Sequence, residues 1–313
     1  MLSLLQGWVP PTLANWQLTV AFYQYVFPIV RSVPSASHTH STANHPKMAS
    51  LQWVLKWYGM GKTSVSSALN LPGRLAWLTM EITGPLVLLT SMNTLPTQLG
   101  IANHDGLPWQ NKVLSALYVI HYAYRAVAFP FLQPSMSPIH AFVWAAALLH
   151  QFCNGTSVGA WLAAYGPTTD SQWAQQVSLP QFALGISLFY VGLAANFFHD
   201  EELREIRRRE ARRQEVVNAQ AKNQGRDVNV EKHYRIPTAG LFKYMLYPHY
   251  FCEWVEWFGF WMACGWSSVP ARAFLINEIF SMLPRAVNGR KWYVETFGED
   301  KIKGKWAVIP GLI

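Results

Sequence analysis

The sequence has little charge for its length, and much of that charge lies in one segment. Of its 313 residues, 13% are charged and 51% are hydrophobic, whereas a soluble domain typically carries about 25% charged residues. Residues 200–235 hold ten of the 25 Lys and Arg and eight of the 17 Asp and Glu. Long tracts are therefore nearly free of charge, which favours an all-α integral membrane protein over a soluble one.

Cysteines and nucleotide-binding motifs are also scarce. The three cysteines have no CxxC spacing and stand in apolar tracts, so neither a disulfide framework nor a metal site is predicted. No GxGxxG motif opens a strand–helix unit, which means that any nucleotide would bind without a Rossmann domain. The pI near 9.4 is explained by a basic cytosolic rim, and no nucleic-acid partner is predicted.

Apolar runs predict a bundle of about seven transmembrane helices. A bilayer core requires about 20 residues per helix, and runs of this order lie at 15–32, 75–95, 113–132, 138–165, 177–199, 240–265 and 267–284. The charged run from 201 to 224 has helical spacing and is predicted to extend the fifth helix as a surface helix.

The distribution of Lys and Arg predicts the orientation. The connection 33–74, the segment 200–235 and the tail after residue 285 are basic, whereas the other connections carry Lys112 as their one basic residue. With seven spans, all three basic segments fall on one side. The positive-inside rule then places the C-terminus in the cytosol and the N-terminus in the lumen. The stretch 35–50 is polar, with three histidines, and is interpreted as a solvated linker.

Several ionisable or polar residues fall inside the predicted helices, where they are costly and therefore candidates for function. They are Glu81, His121, Tyr122, Arg125, His150, Asn154, Asn196, Glu253, Glu256, Arg272 and Glu278. The structural alternative pairs them between helices, for example Glu256 with Arg272.

Glu81 and Tyr122 suggest a specific chemistry. Glu81 lies in the middle of a predicted helix with no cation within one helical turn, so burial would favour its neutral acid form. Tyr122 is a second neutral hydrogen-bond donor. Two such donors converging on a ketone oxygen would form an oxyanion hole for an enolate and polarise a conjugated enone.

Five segments, in order, resemble motifs of the steroid 5α-reductase family. Residues 71–77 (LPGRLAW) precede Glu81, and 121–125 (HYAYR) match HYxxR. Asn196, Asp200, Arg204 and Arg207 match NxxxDxxLRxxR, residues 234–242 match YRIPxGGLF, and 248–259 (PHYFCEWVEWFG) match N[FY]xGExxEWxG. The C-terminal end, with Arg285, Tyr293 and 306–313, fits as well. The resemblance covers about residues 50–313.

This resemblance implies a seven-helix bundle that binds NADPH and saturates the Δ4 double bond of a 3-oxo steroid by adding hydride to carbon 5. It divides the chain into an N-terminal span with a polar linker (1–50) and a catalytic domain (51–313). It also implies the endoplasmic reticulum membrane, with a lipophilic substrate entering from the lipid and no obligate protein partner.

The resemblance also assigns roles to residues. Glu81 and Tyr122 would hold the ketone as the catalytic pair, and Trp77 would line the substrate pocket. The residues expected at the cofactor are Arg125, Asn154, Asn196, Asp200, Arg207, Arg235, His249, Glu253, Arg285 and Tyr293. Several arginines suit the phosphates of a dinucleotide, because guanidinium pairs with phosphate in bidentate fashion.

The sequence departs from the family pattern at several positions. His249 stands where Asn is usual, Ala239 and Cys252 replace glycines, and 208–232 is longer than the usual loop. Residues 133–137 lack the Asn and Arg that help to cover the cofactor. Three alternatives stay open: a reductase of lipid enoyl-CoA or polyprenol, a membrane methyltransferase of related fold, and a non-catalytic sterol-binding scaffold.

Overall fold

A computed structural model describes residues 6–30, 66–101, 106–223 and 234–313 of the chain. This part is mostly helical, as the sequence predicts. The α-helices are α1 (Leu13–Ala21), α2 (Phe27–Val30), α3 (Gly73–Gln98), α4 (Trp109–Tyr122), α5 (Phe129–Leu132), α6 (Ala141–Ala160), α7 (Asp170–Gln176), α8 (Leu179–Asn223), α9 (Pro248–Cys264), α10 (Val269–Phe297) and α11 (Glu299–Ile302). Two-residue strands β1 (Asn70–Leu71) and β2 (Ile139–His140) pair antiparallel.

Short π-helical segments join several of these helices into longer ones. They are Phe22–Val26 between α1 and α2, Ala123–Ala128 between α4 and α5, and Trp161–Tyr165 after α6. The described residues therefore contain seven long helical segments, each of which overlaps one predicted span. By length and composition, two described helices, Gly73–Gln98 and Leu179–Gln220, are apolar enough to cross a membrane.

The helix ends differ from prediction at two places. The sixth predicted span begins at residue 240, but Gly240–Lys243 forms a 3₁₀ turn and α9 begins at Pro248. Proline is favoured there because its fixed φ suits the first helical turn, where its missing N–H costs nothing. The seventh span was expected to end at 284, but α10 passes Pro284 and continues to Phe297.

The charged run is confirmed as an extension of the fifth helix, since α8 is continuous from Leu179 to Asn223. Ion pairs between neighbouring turns stabilise this extension, including Arg209 with Glu205 at 2.9 Å and Arg213 with Glu210 at 3.0 Å. The boundary predicted at residue 50, the polar stretch 35–50 and the end of the insert at 224–232 lie outside the described residues.

Glycines bring two helix pairs close together. A Cβ at Gly155 of α6 would lie 2.4 Å from the backbone oxygen of Gly84 in α3. A Cβ at Gly192 of α8 would lie 2.4 Å from the backbone nitrogen of Glu256 in α9. Neither backbone atom can move without shifting its helix, so glycine permits both contacts. Residues of all four helices line the cavity described next.

Candidate active site

The helices enclose a cavity of about 680 Å³, a volume in the range of ligand pockets. Nine of the residues expected at the site line it: Trp77, Glu81, Tyr122, Arg125, Asp200, Arg207, His249, Glu253 and Arg285. The other four, Asn154, Asn196, Arg235 and Tyr293, are not on its wall. One part of the wall is apolar and includes Phe22, Phe27, Phe142 and Val143, whereas another carries the arginines.

Glu81 lies in the middle of α3 and is held by a residue that the sequence analysis missed. Gln151 Nε2 of α6 donates a hydrogen bond of 2.5 Å to Glu81 Oε2. Since Gln151 itself is 5% exposed and lines the cavity, this contact fixes the carboxyl against the wall. One carboxyl oxygen is thereby engaged, and Oε1 is left for a ligand.

Trp77 lies one turn before Glu81 on α3, and its indole ring contacts Arg125. Its indole Nε1 donates to the Arg125 backbone oxygen at 2.9 Å, and the Arg125 guanidinium lies 5.1 Å from its ring centre. The same guanidinium lies 4.8 Å from the ring centre of Phe129. Cation–π contacts of this kind hold an arginine in place where few water molecules reach it.

Tyr122 ends α4 and is held by an amide from α6. Asn154 Nδ2 donates to the hydroxyl oxygen of Tyr118 at 2.9 Å and to that of Tyr122 at 3.3 Å. The two tyrosine rings have centroids 4.7 Å apart. All three residues are buried, and Tyr122 is the one that reaches the cavity. Asn154 therefore contacts the phenol expected at the ketone and lies behind it.

His121 is the partner of Glu256, so Glu256 does not make the pair with Arg272 that the structural alternative gave as an example. His121 Nδ1 lies 2.7 Å from Glu256 Oε1, and its Nε2 lies 4.0 Å from Glu253 Oε1. The close backbone contact at Gly192 brings α8 against α9 at Glu256, whose side chain has no exposed surface and reaches α4. The hydrogen bond between carboxyl and imidazole offsets part of the cost of burying this pair.

Asn196 supports Glu253 from outside the cavity. Its Nδ2 donates to Glu253 Oε2 at 3.1 Å and to the His249 backbone oxygen at 3.2 Å. Both acceptors belong to residues that line the cavity. His249 Nδ1 is buried and has no hydrogen-bond partner among the described residues, so the imidazole has a polar atom available to a ligand.

A polar network around Asp200 forms the charged end of the cavity. Tyr124 donates to Asp200 Oδ2 at 3.0 Å, and Arg125 Nη1 lies 3.9 Å from the same oxygen. Arg204, with no exposed surface, donates to the Tyr124 hydroxyl at 3.1 Å and to Glu201 Oε2 at 2.7 Å. The motif residues Asp200 and Arg204 on α8 thus connect, through Tyr124, to the π-helical segment that follows α4.

Gln133 is a second residue that the sequence analysis missed. It lines the cavity, accepts a hydrogen bond from Arg207 Nη1 at 3.0 Å, and its backbone oxygen accepts one from Arg74 Nη2 at 2.8 Å. The segment that lacks the usual Asn and Arg therefore still contacts the cavity, through an amide at its first position.

The two remaining predicted residues, Arg235 and Tyr293, do not line the cavity. Arg235 is exposed. Tyr293, beyond the predicted end of the last span, packs with Leu246 and Ile302. Burial raises the pKa of Tyr293, and the nearby Arg207 guanidinium opposes this rise. Arg207 is thus close enough to link Tyr293 electrostatically to the cavity wall.

The residues present fit a dinucleotide together with an apolar ligand. Three arginines, at positions 125, 207 and 285, line the wall and can pair with phosphates. Two buried polar atoms on cavity-lining residues, His249 Nδ1 and Gln151 Oε1, have no hydrogen-bond partner among the described residues, which is a cost that a bound ligand can remove. The aromatic part of the wall suits a flat apolar molecule beside the Glu81 and Tyr122 donors.

Comparisons with known proteins match the chain to one family. The sequence model of the family described as 3-oxo-5-alpha-steroid 4-dehydrogenase matches residues 137–313. An uncharacterized protein of Schizosaccharomyces pombe is 35% identical, over 77% of this chain and 84% of its own. The 3-oxo-5-alpha-steroid 4-dehydrogenase 1 of Bos taurus is 30% identical (80% and 85%), and a steroid 5-alpha-reductase of Solanum lycopersicum is 27% identical (85% and 91%).

Proposed function

The chain belongs to the 3-oxo-5-alpha-steroid 4-dehydrogenase family, and we propose that it uses NADPH to saturate the Δ4 double bond of a 3-oxo steroid. The family is one of oxidoreductases that act on CH–CH groups, with a nicotinamide cofactor and a steroid substrate. The choice of NADPH and of this substrate type is the proposal. It depends on one observation: a carboxyl and a phenol line the same cavity as three arginines.

Glu81 and Tyr122 are proposed to hold the ketone oxygen. Gln151 engages one carboxyl oxygen of Glu81, and Asn154 donates to the Tyr122 hydroxyl oxygen, so neither contact uses the proton of Glu81 or of Tyr122. Hydrogen bonds from an acid and a phenol strengthen as negative charge develops on the ketone oxygen, which stabilises the enolate-like transition state. Trp77 lines the cavity one turn from Glu81 and is assigned to the substrate.

The nicotinamide, when bound, supplies the hydride that adds to carbon 5. Arg125, Arg207 and Arg285 on the wall are proposed to bind its phosphates, with Asp200, His249 and Glu253 making polar contacts. Asn196 is proposed to act through Glu253, to which it donates at 3.1 Å. Arg235 and Tyr293 are proposed to close the outer end, where the adenosine half would lie.

The setting of the site is proposed to be a seven-helix bundle in the endoplasmic reticulum membrane. The seven long helical segments of the described residues support this number, and the basic segments support a cytosolic C-terminus and a lumenal N-terminus. The catalytic domain is proposed to span 51–313, preceded by a span and linker in 1–50. The substrate would enter from the lipid, and the cofactor would enter from the cytosol.

The experiment that tests this function is incubation of the purified protein with NADPH or NADH and a panel of Δ4-3-keto steroids, enoyl-CoAs and polyprenols. Mass spectrometry of the products is expected to show saturated ketosteroids, formed preferentially with NADPH. Turnover of an enoyl-CoA or polyprenol without any ketosteroid would assign the site to a different lipid. A heat-treated sample and a Glu81→Gln sample control for contaminating reductases.

A further inference from the structure

Two side-chain amides on α6 contact the two residues proposed to hold the ketone. Gln151 and Asn154 are three positions apart, so they lie on the same face of the helix. Gln151 donates to Glu81 on α3, and Asn154 donates to Tyr122 on α4. Both amides are at least 95% buried, so solvent cannot easily replace these hydrogen bonds.

The direction of these hydrogen bonds matters for the chemistry. In each contact the amide nitrogen is the donor, and the carboxyl or hydroxyl oxygen is the acceptor. A protonated carboxyl that accepts at Oε2 can place its own proton on Oε1, and a phenol that accepts from an amide can direct its proton elsewhere. The Glu81 proton is then available to an acceptor in the cavity, and the Tyr122 proton can point either to the cavity or to the neighbouring Tyr118 hydroxyl.

The packing of α6 against α3 explains how the amides reach both donors. Gly84 lies one turn after Glu81, and Gly155 lies next to Asn154. The two glycines touch, because a Cβ on Gly155 would lie 2.4 Å from the Gly84 backbone oxygen. A Cβ on Gly84 would also lie 2.6 Å from Gln151 Oε1 and 2.9 Å from the Tyr118 hydroxyl. The side chains of Gln151 and Tyr118 therefore both lie against the backbone at Gly84.

We propose that Gln151 and Asn154 are positioning residues that set the proton direction of Glu81 and Tyr122 toward the ketone. This inference rests on the proposed function. The proposal places Asn154 behind the phenol rather than at the cofactor, because its amide nitrogen donates to the hydroxyl oxygens of both Tyr118 and Tyr122. The proposal also gives Gln151 a role in positioning Glu81. The sequence alone does not indicate this role, because Gln151 lies within an apolar run.

The test replaces each amide by an apolar residue of similar size, in Gln151→Met and Asn154→Leu. Removing the donor lets Glu81 or Tyr122 turn its proton away from the cavity. We expect kcat to fall by about 10- to 100-fold, in line with the loss that misplaced catalytic groups cause. The KM for steroid and the Kd for NADPH, the latter measured by nicotinamide fluorescence, should change by less than about two-fold.

A double-mutant cycle distinguishes positioning from general stability. If Gln151 acts through Glu81, then Gln151→Met should cost little further activity in a Glu81→Gln background. Asn154→Leu should likewise add little to Tyr122→Phe. Losses that multiply fully in both cycles would overturn the proposal, and so would a weakened NADPH affinity in Asn154→Leu.

Asn111 provides the matched structural control. It is a fully buried amide on α4 that donates to Leu162 O at 2.7 Å and Pro167 O at 2.8 Å, and it does not line the cavity. Asn111→Leu should lower the melting temperature and leave kcat per folded molecule unchanged. The wild-type protein is assayed first. If it reduces no enone with NADPH, the proposed function fails, whereas multiplicative losses in an active protein contradict the positioning role alone.

Discussion

Replacing Glu81 by Gln keeps the side-chain volume and changes one property of the site, the acidity of the donor. In the protein, Gln151 Nε2 lies 2.5 Å from Glu81 Oε2. A glutamine at position 81 has one oxygen, and Gln151 will engage it as the acceptor. The amide nitrogen of the new side chain must then face the cavity.

That amide is a much weaker donor to a developing oxyanion than a carboxylic acid. Loss of one oxyanion-hole donor typically costs about 100- to 1000-fold in kcat, or about 2.7–4 kcal/mol. We expect a loss of this size for Glu81→Gln. The KM for NADPH should change little, because Glu81 contacts Gln151 and its proposed ligand is the ketone, not the cofactor.

The assay is steady-state reduction of a Δ4-3-keto steroid, followed by NADPH absorbance and by mass spectrometry of the product. NADPH binding is measured in parallel to show that the variant folds. Glu278, another carboxyl on the cavity wall, provides a comparison, and Glu278→Gln should cost much less. A Glu81→Gln enzyme with more than half of wild-type activity would remove Glu81 from the mechanism.

Other variants test the cofactor side, the substrate side and the packing. Arg207→Ala should raise the KM for NADPH by about 10-fold or more, since a charged hydrogen bond contributes about 1.5–3 kcal/mol. The KM for steroid should change little, and the reverse pattern would assign Arg207 to the substrate. Arg235→Ala should show the same selectivity with a smaller effect because Arg235 is exposed. Trp77→Ala should raise the KM for steroid more than the KM for NADPH, which Trp77 affects through its contacts with Arg125, and equal effects on both ligands would contradict its place in the substrate pocket. Gly155→Ala should lower the free energy of unfolding by about 1–3 kcal/mol, because the new Cβ would lie 2.4 Å from the Gly84 backbone oxygen. An unchanged melting temperature would show that α3 and α6 can separate without cost.

The helices were predictable from sequence because apolar runs of membrane-spanning length are a strong signal. Each of the seven predicted runs overlaps a long helical segment in the described residues. The ends were less predictable, as at 240–247, where apolar residues continue but the chain forms a 3₁₀ turn before Pro248. Hydrophobicity does not distinguish a helix from a turn packed in the same apolar surroundings.

The site was predictable where a charged residue interrupts an apolar run, as at Glu81 and Arg125. It was not predictable where the partner is a neutral amide, as with Gln151, which lies 70 residues from Glu81. Nor does sequence reveal which buried charges meet. Glu256 pairs with His121, 135 residues away, although Arg272 is nearer in the chain and opposite in charge.

The measurement that tests the proposed function most directly is the fate of the transferred hydrogen. The purified protein is incubated with a Δ4-3-keto steroid and NADPH that carries deuterium at the transferable position of the nicotinamide, in ordinary water. In the proposed mechanism Glu81 and Tyr122 hold the ketone and so direct addition to the β-carbon of the enone. The product should then be the saturated ketone with deuterium at carbon 5 and a solvent proton at carbon 4. Deuterium at carbon 4, or a product that keeps its double bond and loses its ketone, would contradict this assignment.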